Sequence, residues 1–297
     1  MVEVILSSQS WFVYAVLATF MYGIQNFLYK VAATKGLSGA QVLNKSALTV
    51  SSLSLILILF TQASFVKLEW ILLFALLNSG FFAIGVLSKI KSLKFLPSTY
   101  AFPITRMNSI VAIALAIIFL NDRPQLYQWI GIIIAIFMAF LIKHDAKDTS
   151  ENYQTIKTGV LFAITTVFAT GCSVFTGKLA ATSVPKLNYI FISYLMVFVY
   201  TTLINKFFRK EKRLSFKQVY TTKIIHYGIS IGVLNFIGYF LILKAFEVGP
   251  LSLTQGVLST SLLISIALSV IFLKESLNWR KIAIIALALV AVFLIKL

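Results

Sequence analysis

A chain of 297 residues that is 59% hydrophobic and only 12% charged, with a mean hydropathy of +0.93, cannot cover a water-facing surface, because soluble domains keep about a quarter of their residues charged. The net charge of +17 is scattered between apolar runs rather than gathered on one face, which excludes a nucleic-acid footprint along with a soluble or disordered chain. A single cysteine, Cys172, permits neither an intramolecular disulfide nor a cysteine metal cluster.

A helix crossing a hydrocarbon core of about 30 Å needs about 20 apolar residues. Ten runs meet that need, at 11–33, 40–61, 69–89, 98–120 and 126–142, then at 157–180, 187–207, 224–244, 251–273 and 281–297. The N-terminal stretch MVEVILSSQS lacks the basic region of a cleaved signal, so the first run is expected to remain as a span. The longest polar connections, Lys143–Lys157 and Lys206–Lys223, leave no room for a soluble domain. The runs do not alternate in polarity as barrel strands of about ten residues would. The chain therefore reads as an all-α membrane protein of ten transmembrane helices.

Self-comparison reveals a repeat. Residues 91–143 slide onto 244–296 without a gap and give 14 identities in 53 positions, including Lys91/Lys244, Pro97/Pro250, Ile118/Ile271, Phe119/Phe272 and the run FLIK at 140–143 and 293–296. The first spans match at an offset of 148, through Ala15/Ala163, Phe20/Phe168, Gly23/Gly171, Phe27/Phe175 and Lys30/Lys178. Chance among leucine-rich helices accounts for the aliphatic matches but not for Gly, Lys and Pro in register. Each half, 1–147 and 148–297, thus holds five spans. Five is odd, so the second half enters the membrane from the opposite side, and the halves are inverted repeats. That is the architecture of carriers that rock one half against the other around a midplane site.

The segment LILKAFEVGPLSLTQGVLSTSLLISIALSVIFLKESLNWRKIAIIALALVAVFL (241–294) and its weaker copy at 91–143 resemble the drug/metabolite transporter superfamily, specifically its ten-span EamA-type members. The shared pattern is an aromatic helix end, an alanine, a proline, a polar fourth helix and a following acid, here Glu275. In the first half Asn121-Asp122 stands where the family usually has a Gly-Glu pair, which puts the structural role of that acid in question. The resemblance implies a substrate cavity between the halves, with the fifth and tenth spans peripheral. Four-span relatives expel lipophilic cations with a glutamate in their first helix. Here the first span, WFVYAVLATFMYGIQNFLYK, has none, which argues against that mechanism.

Ionisable residues inside a membrane are costly and mark functional positions. Four lie within spans, Lys30, Lys45, Arg106 and Lys178, and none is acidic; Glu69, Asp122, Glu247 and Glu275 fall at helix ends. Lys30 and Lys178 sit close enough to their helix ends to snorkel to the headgroups. Arg106, beside Thr105, Asn108 and Ser109, is expected to face a water-filled cavity, and Lys45 either a cavity or an interface. The substrate-binding set is expected to be Arg106, Lys45, Asn26, Asn78, Tyr100, Tyr194, Asn235, Tyr239 and Gln255. Gln25, Asn44, Ser259 and Thr260 belong to the same pool, about half of which only join helices. Gly23, Gly80, Gly171 and Gly238 are expected at close helix contacts.

No P-loop or cofactor motif is present, and border histidines without a buried acid make intramembrane catalysis a poor reading. The expected function is secondary transport, with the solute and the bilayer as partners, no nucleic acid and no cofactor; a monomer suffices for this architecture. Basic groups without carboxylates suit a solute bearing a carboxylate or phosphate, such as an amino acid. The alternative is a cationic solute in an aromatic cage, since the chain holds 26 Phe and 12 Tyr. A lipid scramblase or a channel has less support, there being no selectivity-filter motif. Leaving out the four basic residues within spans, the connections after odd-numbered spans carry 17 basic residues against 5 in the connections after even-numbered spans and the C-terminus, which sets both termini outside the cell. The family resemblance implies the reverse.

Overall fold

The computed structural model describes residues 2–95, 104–105, 107–141, 153–208 and 218–273, and of the last span 286–287, 289–291 and 293–295. Their helices are α1 (Val2–Thr34), α2 (Gly39–Thr61), α3 (Leu68–Phe95), α4 (Asn108–Leu120), α5 (Leu126–Leu141), α6 (Tyr153–Ser183), α7 (Lys186–Phe208), α8 (Gln218–Val248), α9 (Leu251–Ser259) and α10 (Ser261–Leu273). Together, α9 and α10 form the ninth span, and the helical residues within 286–295 belong to the tenth. Among the described residues, seven spans are long and apolar enough to cross a bilayer by themselves, the ninth included, and α4 is a shorter apolar helix. Connections at 62–67, 121–125, 184–185 and 249–250 lie on one face, here the near face; the turn at 35–38 lies on the far face.

The protein is a bundle of ten transmembrane helices built as two inverted five-helix repeats, and the packing follows their two-fold relation. The most extensive contacts cross between the halves: α3 on α6, α1 on α8, α2 on α7 and α2 on α8. Among the described residues, helix contacts within a half are sparse. Glycine contacts give the register. A Cβ on Gly23 would lie 2.5 Å from Ile264 Cβ and 3.0 Å from the Ser261 carbonyl oxygen, and on its mate Gly171 it would lie 2.7 Å from Val111 Cβ and 3.1 Å from the Asn108 carbonyl oxygen. All three pairs are related by the offsets of the sequence repeat, 148 for the first spans and 153 for the fourth. The same relation holds for Gly85 against Thr170 and Gly238 against Tyr22. Gly80 differs from the expectation, since nothing lies within 4 Å of a Cβ built there. Small residues let backbones approach where lipid offers no hydrophobic drive for association.

The outward surface is apolar, as lipid requires. Ile118 and its mate Ile271 are 71% and 66% exposed, and Phe119 and Phe272 are each 67% exposed. The central cluster joins Trp11, Ala18, Ile71, Ile113, Ile132, Tyr189, Ile242, Leu251 and Ile295 from both halves.

Candidate functional site

Two spans are broken at mated positions. In the ninth, Thr260 interrupts the helix: its N–H bonds the Val257 carbonyl at 3.1 Å and its carbonyl accepts from Leu263 N–H at 2.9 Å. Its mate Met107 does the same in the fourth span, bonding Ile104 at 3.0 Å and Ile110 at 2.9 Å. The break at Thr260 lies about 14 Å along its span from the near face at 1.5 Å per residue, close to the midplane. Beside the breaks the two spans touch through Ser109 and Ser259, whose hydroxyls are 3.1 Å apart. On the other side α1 seats Gly23 against the break, and its Thr19 hydroxyl lies 3.4 Å from the Val257 carbonyl oxygen. Discontinuous helices near the midplane are where inverted-repeat carriers build binding sites.

Next to the breaks runs a column of uncharged polar and aromatic side chains from α1, α2, α3, α6, α7 and α8. The Tyr189 and Tyr239 hydroxyls are 3.1 Å apart. The Tyr194 ring stands edge-on to Tyr239 at 5.6 Å and tilts against Phe82 at 6.5 Å. Asn78 is fixed from both sides, donating to the Ser173 carbonyl at 2.6 Å and to Ser173 Oγ at 3.1 Å, and accepting from Ser193 at 3.2 Å. Asn235 lies beside Tyr194. Phe82 is the two-fold mate of Asn235 at offset 153, so both mates touch the same tyrosine. Toward the far face the column continues through Tyr22 to Gln25, Tyr29 and Ser46. None of these side chains is charged at neutral pH.

The near face is tied by polar contacts. Asp122 Oδ2 accepts from the Ser252 backbone N–H at 2.9 Å and from Ser252 Oγ at 2.8 Å, so a first-half carboxylate caps the N-terminus of α9. Pro250, the N-cap residue, makes no side-chain cap hydrogen bond of its own, and the helix dipole favours an anion there. Asn121 takes the left-handed conformation that ends α4, with φ 56°. Asparagine tolerates that conformation nearly as well as glycine. Asn121 thus ends α4 and Asp122 caps α9, which gives Asp122 the structural role that was in question. Lys178 does not snorkel to the headgroups: its ammonium donates to the carbonyls of Phe246 and, at 2.8 Å, Gly249, closing the C-terminus of α8. Toward the far face instead, Lys30 donates to Ser269 Oγ at 3.2 Å on α10. Glu247 pairs with Lys186 at 2.6 Å and Lys244 at 3.4 Å. Asn188 reaches the Ser64 carbonyl at 3.2 Å, and Lys67 the Ser183 carbonyl at 3.3 Å.

Of the expected residues, Asn78, Tyr194, Asn235 and Tyr239 come together in the column. Lys45 starts from the seam between α2 and α8, where Gly228 approaches its Cβ. Its neighbour Asn44 joins α2 to α7 through Phe198, Thr201 and Thr202. Asn26 is half-buried on α1, and Gln255 is buried in α9. Arg106, Tyr100 and Glu275 lie outside the described residues. Sequence reasoning missed Tyr22, Tyr29, Tyr189 and Ser46. Tyrosine count alone offered no way to separate column from lipid-facing rings, and only helix phase relative to Gly23 and Gly238 would have.

The sequence profile of the EamA-like transporter family matches residues 9–143 and 157–297. A structure described only as the crystal structure of a protein is similar with a TM-score of 0.75 and 13% identity, over 97% of this chain and 96% of that one. At that identity the likeness speaks for the fold alone. No curated protein matches. With the family profile covering both repeats and the helices arranged as that repeat demands, the chain is a multi-pass integral membrane protein of the EamA-like transporter family.

Proposed function

We propose that the protein is a secondary carrier of the plasma membrane that holds a small organic solute in the tyrosine–amide column and exposes it to each side in turn. The observation that carries this reading is the pair of mated breaks in the fourth and ninth spans, meeting through Ser109 and Ser259 beside a buried polar column. A two-fold pair of half-helices gives two equivalent ways to open. The near-face contacts of Asp122, Asn188 and Lys67 join the two halves and are the ones to be broken when that face opens. For the solute, Lys45 and Arg106 favour a carboxylate or phosphate, an amino acid among them, whereas the tyrosines favour an amine or other cation.

The test is counterflow in proteoliposomes. Vesicles loaded with amino acids, organic acids, sugar phosphates or amines are scored for accelerated uptake of the labelled compound against a trans gradient. At least one class is expected to show counterflow that is lost in Asn78→Ala and Tyr239→Ala. Flux without trans acceleration would make the protein a channel and sink the carrier reading.

A further inference from the structure

A cavity of about 400 Å³ opens on the near face and shares no lining residue with the polar column. Residues 121–125 and Gln128 of the first half line it, together with Pro250, Ser252 and Leu253 of the second. Its volume lies within the range of small-ligand sites, about 300–1,000 Å³. Four helices end or begin around it, α4 at Leu120, α5 at Leu126, α8 at Val248 and α9 at Leu251. Ends of membrane spans meet at the level of the lipid head groups.

The hydrogen bonds within the lining decide what it can hold. Arg123 Nε donates to Asn121 Oδ1 at 3.2 Å, and the Gln125 backbone N–H donates to Gln128 Oε1 at 2.9 Å. Neither donor can accept, so each bond consumes an amide oxygen and leaves the NH2 group of that amide over. Donors therefore remain: four N–H groups on the Arg123 guanidinium and two on each of the two amides. The carboxylate in the lining, Asp122, is already engaged, its Oδ2 taking two bonds from Ser252 at the positive end of the α9 dipole. A guanidinium fork with amide donors beside it suits an oxyanion. At head-group depth the oxyanion at hand is the phosphate of a phospholipid.

α5 supplies a track for the acyl chains. Leu126, Ile130, Ile133 and Phe137 are exposed and fall on one face of this helix. At 1.5 Å per residue this ridge runs about 16 Å, close to one leaflet of a hydrocarbon core about 30 Å thick. Trp129 lies between the ridge and the two glutamines around the helix, where an indole joins the apolar layer to the polar one. We propose that the cavity holds the head group of an anionic phospholipid, its phosphate gripped by Arg123, Asn121 and Gln128 and its chains laid along the α5 ridge. A choline head group carries the same phosphate but brings a second cation beside Arg123. The two walls belong to different halves, so the lipid adds a contact across the seam that Asp122 and Ser252 close.

Native mass spectrometry of the purified protein tests this, in detergent micelles doped with equal amounts of phosphatidylglycerol and phosphatidylcholine. One phosphatidylglycerol is expected to be retained about tenfold over phosphatidylcholine, the effect of one hydrogen bond between charged groups. Arg123→Gln is expected to abolish that preference, and Gln128→Leu to reduce it about threefold, as for one neutral donor. Lys244→Gln removes a near-face charge outside the cavity and should keep it. The proposal is overturned if the two lipids are retained equally or if Arg123→Gln keeps the preference. It is also overturned if Lys244→Gln loses the preference as fully, because the attraction then belongs to the whole face. If Arg123→Gln does not fold, Gln128→Leu and the wild-type preference decide. Glycerophosphoglycerol, the same head group without chains, is expected to leave the adduct in place when added at the concentration of the lipid. Displacement by it would make this a site for a soluble phosphate ester and overturn the lipid.

Discussion

Asp122 acts across 130 residues of sequence, with its carboxylate on the backbone N–H of Ser252. No local pattern announces such a cap, which explains why sequence comparison left the acid without a role. Removing it leaves the first turn of α9 uncapped at a proline, where no side chain substitutes. Asp122→Ala is expected to lower unfolding stability by about 1 kcal/mol, measured as a fall in the melting temperature of the purified protein. Ser252→Ala keeps the backbone bond and is expected to cost less. Equal melting temperatures for Asp122→Ala and the wild type would remove the cap from the account. Lys178 behaves likewise at the neighbouring corner: a lysine read from its depth as a snorkelling group spends its charge on the carbonyls that end α8.

At the scale of the helix, the mated glycine contacts make a prediction in pairs. Gly23→Ala and Gly171→Ala set a methyl group 2.5 and 2.7 Å from branched side chains of α10 and α4. Both are expected to lower thermal stability by about 1–3 kcal/mol, the usual result of overpacking. Gly80→Ala, with open space at its Cβ, should be neutral or raise stability by about 0.5–1 kcal/mol through helix propensity. A melting curve for each variant checks the set, and a destabilised Gly80→Ala would contradict it. Helix number, approximate limits and the repeat register were legible because they depend on apolar runs and identities along the chain. The interruption of the ninth span was not. Ser259, Thr260 and Ser261 are polar but compatible with a helix, and the break follows from packing against Gly23, which lies more than 230 residues away. Half of the candidate site was legible for the same reason: amides in spans are conspicuous, whereas tyrosines face lipid and cage alike.

For the molecule as a whole, the basic residues predict which face meets the cytoplasm. Leaving out the four within spans, seventeen belong to the connections after odd-numbered spans and the helix ends beside them, and five to the connections after even-numbered spans, their flanking helix ends and the C-terminus. By the positive-inside rule the near face, with its Asp122 and Glu247 contacts, is external. Single cysteines at Ser64 and Ser215 in a Cys172→Ser background check it: an impermeant reagent added to intact cells should label Ser64→Cys and spare Ser215→Cys. The opposite pattern would give the orientation usual for ten-span members of the family.

The cross-half packing also bears on how the chain is made. The main partners of α1 are α8, α9 and α10, which leave the ribosome late, and those of α3 are α6 and α7. During synthesis the first five spans therefore enter the bilayer with their small-residue faces and the polar edge of Asn78 uncovered, and must wait for the remainder. A chain stopped after 147 is expected to be degraded when produced by itself, and to persist and co-purify when 148–297 is co-expressed with it. Assembly is thus a late event of biosynthesis, and the insertion machinery or a chaperone has to shelter an intermediate half the length of the protein.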